Sequence, residues 1–308
     1  MKKSLSVFLR LVFSCCLVIA SAVAQIKVVS VEQLPLESSR AWTRPQFSPN
    51  GQAVYFTSSD FDGIWEYSLA TKSARQITSD PKSGTAFSVS TDGKQITYRK
   101  TTTINRRRKQ EIVVQNLAEG KPSVVASGSD LSAPMFDESK VVYSSGSRTY
   151  NLLKKSSSPA VAVLGTENTK ILLNEGGRKV LLDPLTDGHY VWPSLSPDGK
   201  RIVAYEMDRG AIVCNVDGSN LVKLGKRAAP SWTRSGKWIV YMEDLDDGHK
   251  LLSSEIVAVS PNGKETVRLT ATTDIMEMNP RCSLTEDKIV CDSPDGKIYL
   301  LTYSEESK

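Results

Sequence analysis

The chain has 308 residues, 40% of them hydrophobic and 24% charged, with a formal charge of +5 and five cysteines. That length can bury a sizeable core, which sets it apart from small cystine-stapled domains. The modest charge gives no electrostatic case for nucleic acid as a partner.

The first residues have the three-part layout of a cleavable secretory signal. "MKK" supplies positive charge, residues 5–20 are mostly apolar with Arg10 as an interruption, and "SAVAQ" offers Ala22 and Ala24 before Gln25. The apolar run is short for a spanning helix. Cys15 and Cys16 raise a lipoprotein alternative, but Phe13 and Ser14 fit a lipidation box poorly. The expectation is a signal over 1–24, a single mature domain over 25–308 and a periplasmic location. Loss of Lys2, Lys3 and Arg10 lowers the formal charge from +5 to +2 and leaves Cys214, Cys282 and Cys291, enough for one intramolecular disulfide.

A strand-like segment, "IKVVSVEQL" at 26–34, comes next, and then a repeated phrase begins. "RPQFSPNGQAVYF" (44–56), "TAFSVSTDGKQITY" (85–98), "APMFDESKVVY" (133–143), "WPSLSPDGKRIVAY" (192–205), "APSWTRSGKWIVY" (229–241) and "NPRCSLTEDKIVC" (279–291) share one layout. In its clearest copy Pro197 presets φ, Asp198 bonds its own backbone and Gly199 tolerates positive φ, followed by a β-rich run. Each copy therefore reads as strand, tight turn, strand. A second hairpin follows at 63–78, 111–126, 169–183, 211–225 and 255–270, so a unit has four strands, a to d.

The last unit has "KIYLLTY" (297–303) as its third strand, and the segment 26–34 is free to supply the fourth, joining the ring and covering its open edges. Four-stranded units at this spacing indicate an all-β, six-bladed β-propeller closed by the N-terminal strand. The spacing from Ser139 to Gly199 is long, and its surplus lies at 147–168. This surplus is read as an insertion between strands b and c of blade 3, with seven blades, one incomplete, as the alternative.

The S-P-D-G turn, "SSDFDGIWEYSL" (58–69) and the strand ending "RQIT" (75–78) resemble the repeats of the TolB-type propeller family, periplasmic relatives of WD-repeat proteins. The resemblance covers the propeller only, because no room remains here for the separate N-terminal α/β domain of TolB. It implies a noncatalytic scaffold for other envelope proteins. Most repeated residues, such as Phe47, Leu195, Ile202 and Trp238, are expected to pack between blades.

Function is therefore sought just before each a-strand, at the mouth of the central channel. The candidate partner-binding residues are Arg40, Trp42 and Arg44; His189, Tyr190 and Trp192; Arg227; and Met276, Met278 and Arg281. Aromatic, arginine and methionine side chains are the usual interface anchors. Trp42 and Trp192 equally suit a role as caps on blade edges. "INRRRKQE" places Arg106, Arg107, Arg108 and Lys109 in a b–c loop, and "EDLDDGH" places Glu243, Asp244, Asp246, Asp247 and His249 in another, without the spacing of a calcium loop.

No G-x-S-x-G elbow or H-E-x-x-H motif occurs, and His189 and His249 are the only histidines, too few for a histidine-held metal. The chain is accordingly read as no enzyme, with no cofactor and no metal site. It is expected to be a monomer with no transmembrane segment in the mature chain, binding an envelope protein or peptide. The alternative is a glycan-binding propeller or a polysaccharide-lyase-like enzyme. In an oxidising compartment a two-residue turn at Glu286 and Asp287 would set Cys282 opposite Cys291, a geometry compatible with a disulfide.

Overall fold

In the strand Ala53–Ser58 every residue is buried. A strand turns alternate side chains to opposite faces, so both faces of this one must be covered. Val54 and Phe56 pack with Val290, Ile298 and Leu300, while Ala53 and Tyr55 pack with Ile96, Tyr98 and Val113. The same split recurs around the molecule. Val240 packs against Ile289 and Cys291, whereas its neighbours Ile239 and Tyr241 pack against Val203 and Val213.

The computed structural model describes residues 25–137, 140–146, 148–150 and 161–306, so the expected signal over 1–24 lies outside the described residues. These form seven antiparallel sheets. Blade 1 comprises Trp42–Phe47, Ala53–Ser58, Ile64–Ser68 and Ser73–Thr78. Blade 2 comprises Phe87–Val89, Gln95–Ile104, Arg107–Asn116 and Pro122–Gly128. Blades 5 and 6 repeat the pattern from Tyr190–Leu195 and Ala228–Trp232. Blade 7 begins at Met278–Cys282 and takes its outermost strand, Gln25–Gln33, from the other end of the chain. Seven apolar clusters, one between each adjacent pair of sheets, make the fold a closed seven-bladed β-propeller.

Seven blades correct the expected six. Among the described residues blade 3 holds Met135–Asp137, Lys140–Ser145 and Arg148–Tyr150, and blade 4 holds Val161–Glu167, Lys170–Glu175 and Arg178–Leu182. The surplus at 147–168 is thus no insertion within one blade. The hairpin at 169–183 belongs to blade 4, and a strand at Val161–Glu167 pairs with it. A recurring hydrogen bond identifies the strands of this sheet. The N–H of Trp42, opening blade 1, donates to the carbonyl of Gly296 in the b–c turn of blade 7 (2.9 Å), and the N–H of Tyr190, opening blade 5, donates to the carbonyl of Thr169 (2.8 Å). The Asn168–Thr169 turn is therefore the b–c turn of blade 4, and its three described strands hold positions b, c and d.

The repeated turn works as its residues require, with one addition. Gly199 has φ 70°, and the carboxylate of Asp198 accepts from the N–H of Lys200 at 3.2 Å. The hydroxyl of Ser196 ties the turn together, donating to Asp198 and accepting from the N–H of Arg201 at 2.9 Å. Ser90 does the same between Asp92 and the N–H of Gln95. Ile202 and Trp238 are buried, and Phe47 and Leu195 pack on interblade clusters, as expected.

The cysteine geometry differs from the expectation. Cys282 stands opposite Ile289, because the turn is centred on Thr285 and Glu286 and not on Glu286 and Asp287, and Cys291 stands opposite Tyr299 of the next strand. Both thiols are free, buried and in the same apolar cluster, on one face of the sheet but out of register by two residues. Burial pushes the Cys282 thiol up to about 12.

Candidate functional site

Each blade alternates strand direction, so the starts of the inner strands and the b–c turns share one face of the ring. On that face the inner strands carry a feature that alternation alone does not produce. Arg44, Trp192, Ala229 and Asn279 each have φ between 50° and 53°. Each is followed by proline, and each lies in a break of the pairing register: Thr43 to Gln46, Val191 to Ser194, Ala228 to Ser231 and Met278 to Arg281. A left-handed conformation at a non-glycine residue is uncommon, and such strain costs on the order of 1–3 kcal/mol. A β-bulge accounts for the arrangement. It re-aims a side chain, and the proline that lacks an N–H falls on the inner edge strand, where no ladder partner is lost.

The bulge sorts the candidate residues. Two positions before each bulge residue, the side chain turns between blades: Trp42 and Tyr190 are buried, Arg227 is half-buried and Glu277 is fully buried. Trp42 packs edge-on against Phe56 and Trp65, and its Nε1 donates to the carbonyl of Glu37 at 2.9 Å. The Tyr190 hydroxyl donates to Asp183 at 2.9 Å. Trp42 and Tyr190 are thus parts of the core and do not face the mouth. Arg40 is exposed above the ring of Trp65, and Arg227 lies over Tyr241. Met276 and Met278 are half-buried.

His189 is exposed and is held by its backbone, whose N–H donates to Glu206 at 3.1 Å. Burial acts against ionisation of Glu206. The side chain of Arg209 and the N–H groups of His189 and Arg209 outweigh it and bring the carboxyl down to about 2.

At the bulges themselves, side chains from opposite parts of the ring meet. A cavity of about 380 Å³ is lined by Thr43, Arg44 and Gln46 of blade 1, Trp192 of blade 5, and Asn279 and Arg281 of blade 7. It is the central channel. Trp192, 38% exposed, also borders a second cavity of about 250 Å³ with Met135, Leu164 and Leu172. The Arg44 guanidinium lies over Phe61 at 4.6 Å and donates to the carbonyl of Thr85 at 3.1 Å. Asp292, buried at the channel wall, accepts from Thr43, from the N–H of Arg44 and from Asn279. Of the candidates, Arg44, Trp192 and Arg281 are therefore brought together. Asn279 and Gln46 join them, although neither stood among the residues chosen from sequence.

Two long hairpins rise beside the mouth. In blade 2, Gln95–Ile104 and Arg107–Asn116 turn at Asn105 and Arg106, and in blade 6, Ile239–Asp246 and Leu251–Val259 do the same near Gly248. Arg108 is tied to the carbonyl of Ser129 and Lys109 to Glu111. Glu243 pairs with Arg268, and Asp247 accepts from the N–H groups of His249 and Lys250. No cluster of three or more His, Cys, Asp or Glu suited to a metal occurs among the described residues. None of their helices is long and apolar enough to cross a membrane.

Fold and channel together define the chain as a seven-bladed β-propeller. No family model and no curated sequence matches it. Among solved structures it is similar to TolB from Acinetobacter baumannii (TM-score 0.54, 19% identity, covering 80% of this chain and 58% of that one). It is similar also to the Swd1 β-propeller domain of Myceliophteria thermophila (TM-score 0.60, 11% identity, 87% and 98% covered). A chain of the mitotic checkpoint complex gives TM-score 0.60 at 10% identity, with 98% of each chain covered. The chain spans less than two thirds of the TolB structure, and at these identities the likeness is one of fold.

Proposed function

We propose that this protein is an exported, noncatalytic propeller scaffold of the periplasm that binds a protein or peptide partner of the cell envelope at the channel mouth. One observation carries the reading: Trp192 is held partly in solvent, on a strained bulge, at the junction of two cavities. A large aromatic ring that folding alone would bury is an anchor for a partner. The surrounding face supports a protein as that partner. Ile104, Met207, Leu245 and Leu252 are exposed apolar side chains on its b–c hairpins, the kind of surface that a polypeptide covers.

The test places a photo-crosslinking amino acid at Met207, which is exposed at the rim, and carries out crosslinking in the intact envelope. The reading expects a discrete crosslinked protein that is lost when Trp192→Ala is added. Capture of oligosaccharide alone would move the assignment to glycan binding, and capture unchanged by Trp192→Ala would place the binding surface elsewhere.

A further inference from the structure

The channel contains positive charge that the protein neutralises only in part. Among the described residues the side chain of Arg281 makes no hydrogen bond and no ion pair, although the residue is half-buried in the wall of the cavity. Arg44 lines the same cavity and has no ion pair either. Its one side-chain hydrogen bond goes to the carbonyl of Thr85, which leaves most of the guanidinium fork unused. The nearest acid, Asp292, accepts from Thr43, Arg44 N–H and Asn279, all neutral donors, so it offsets part of the positive charge without pairing with either guanidinium. Desolvation disfavours the charged form of Arg281; the Asp292 carboxylate opposes this in part, and the nearby Arg44 adds to it. Two like charges in a partly desolvated cavity are unfavourable until an anion joins them.

The geometry points to a carboxylate of the bound protein, an acidic side chain or a chain end, seated in the channel between Arg44 and Arg281. This rests on the scaffold reading and adds the chemistry of what is recognised. Guanidinium groups present paired donors that match a carboxylate, and Gln46 lines the same cavity without a side-chain partner among the described residues. Trp192 supplies the apolar wall against which the acidic residue's methylene groups pack. The apolar rim of Ile104, Met207, Leu245 and Leu252 favours a polypeptide over a polyuronate as the source of the carboxylate.

The test uses the mature protein and ligand-observed NMR with three probes: the N-acetylated, C-amidated dipeptide of two glutamates, its glutamine analogue, and trigalacturonate. The glutamate dipeptide is expected to bind, the glutamine analogue to bind at least about tenfold more weakly, and Arg281→Met to weaken the glutamate dipeptide by a similar factor. Arg281→Lys should restore part of the loss. Because the Arg281 side chain has no hydrogen bond or ion pair among the described residues, Arg281→Met should keep a thermal midpoint close to that of the wild type. Equal binding of the two dipeptides, or binding indifferent to Arg281→Met, overturns the inference. Preference for trigalacturonate overturns the choice of a polypeptide. Absence of dipeptide binding while the Met207 crosslink persists removes this inference and leaves the scaffold reading standing.

Discussion

Lys27 and Glu306 form an ion pair of 2.9 Å across 279 residues of sequence. Both side chains are more than half exposed, so the pair itself contributes at most about 1 kcal/mol. Its meaning is positional: it marks the register in which the first strand covers the edge of the last, from Gln25 opposite Glu306 to Gln33 opposite Tyr299.

Closure is expected to matter far more than that ion pair. Ile26 is fully buried in the cluster between blades 6 and 7. Ile26→Ala should cost about 2–5 kcal/mol, and Lys27→Ala less than about 1 kcal/mol. Deleting Gln25–Gln33 should lower the midpoint of the whole thermal transition, because it uncovers the edge of Ile298–Glu306. A deletion variant that keeps the wild-type oligomeric state and midpoint would contradict closure by this strand.

How much of this is legible in the sequence varies with the physics involved. Turn chemistry is local, so Asp198 and Gly199 announce their hairpin, and the apolar alternation after it announces the blade. Blade 4 is harder to read because its b–c turn is Asn168–Thr169, with φ 48° and 67°, and carries neither proline nor glycine. The site is half legible. A period of two cannot locate a bulge, so Trp42 and Tyr190 read as mouth residues when their side chains turn into the core. A signal is nevertheless present. Proline follows Arg44, Trp192, Ala229 and Asn279, at the same place in four repeats.

Glu277 gives stability a pH dependence of predictable sign. Burial, with Glu255 adding repulsion, raises its carboxyl from 4.5 to about 7. The folded state therefore holds a proton that the unfolded state releases above about 4.5. The associated stability is fully present below that pH and is lost as pH rises through about 7. Glu277→Gln should flatten this part of the profile and stabilise the protein at pH 8, as read from urea midpoints at pH 5 and pH 8. A variant with the wild-type difference between the two pH values would show that Glu277 ionises normally.

The cysteines should behave as three separate thiols. Cys214 is pushed up to about 11 by burial, and Cys282 to about 12. The chain from Gln25 onward should react slowly with iodoacetamide when native and, once denatured, take up three equivalents without prior reduction. A Cys282–Cys291 linked peptide in the non-reduced digest would contradict the observed register.

The channel mouth as the binding surface is tested most directly by measuring partner capture for two double variants in parallel. Trp192→Ala with Arg44→Ala alters the mouth, and Leu284→Ala with Lys94→Ala alters turns of the opposite face. The mouth variant should remain folded and lose affinity by about thirtyfold or more, as truncated anchors commonly cost ~2 kcal/mol or more. The opposite-face variant should bind as the wild type does. The reverse pattern, with capture lost in the Leu284 and Lys94 variant and kept in the Trp192 and Arg44 variant, would contradict the assignment.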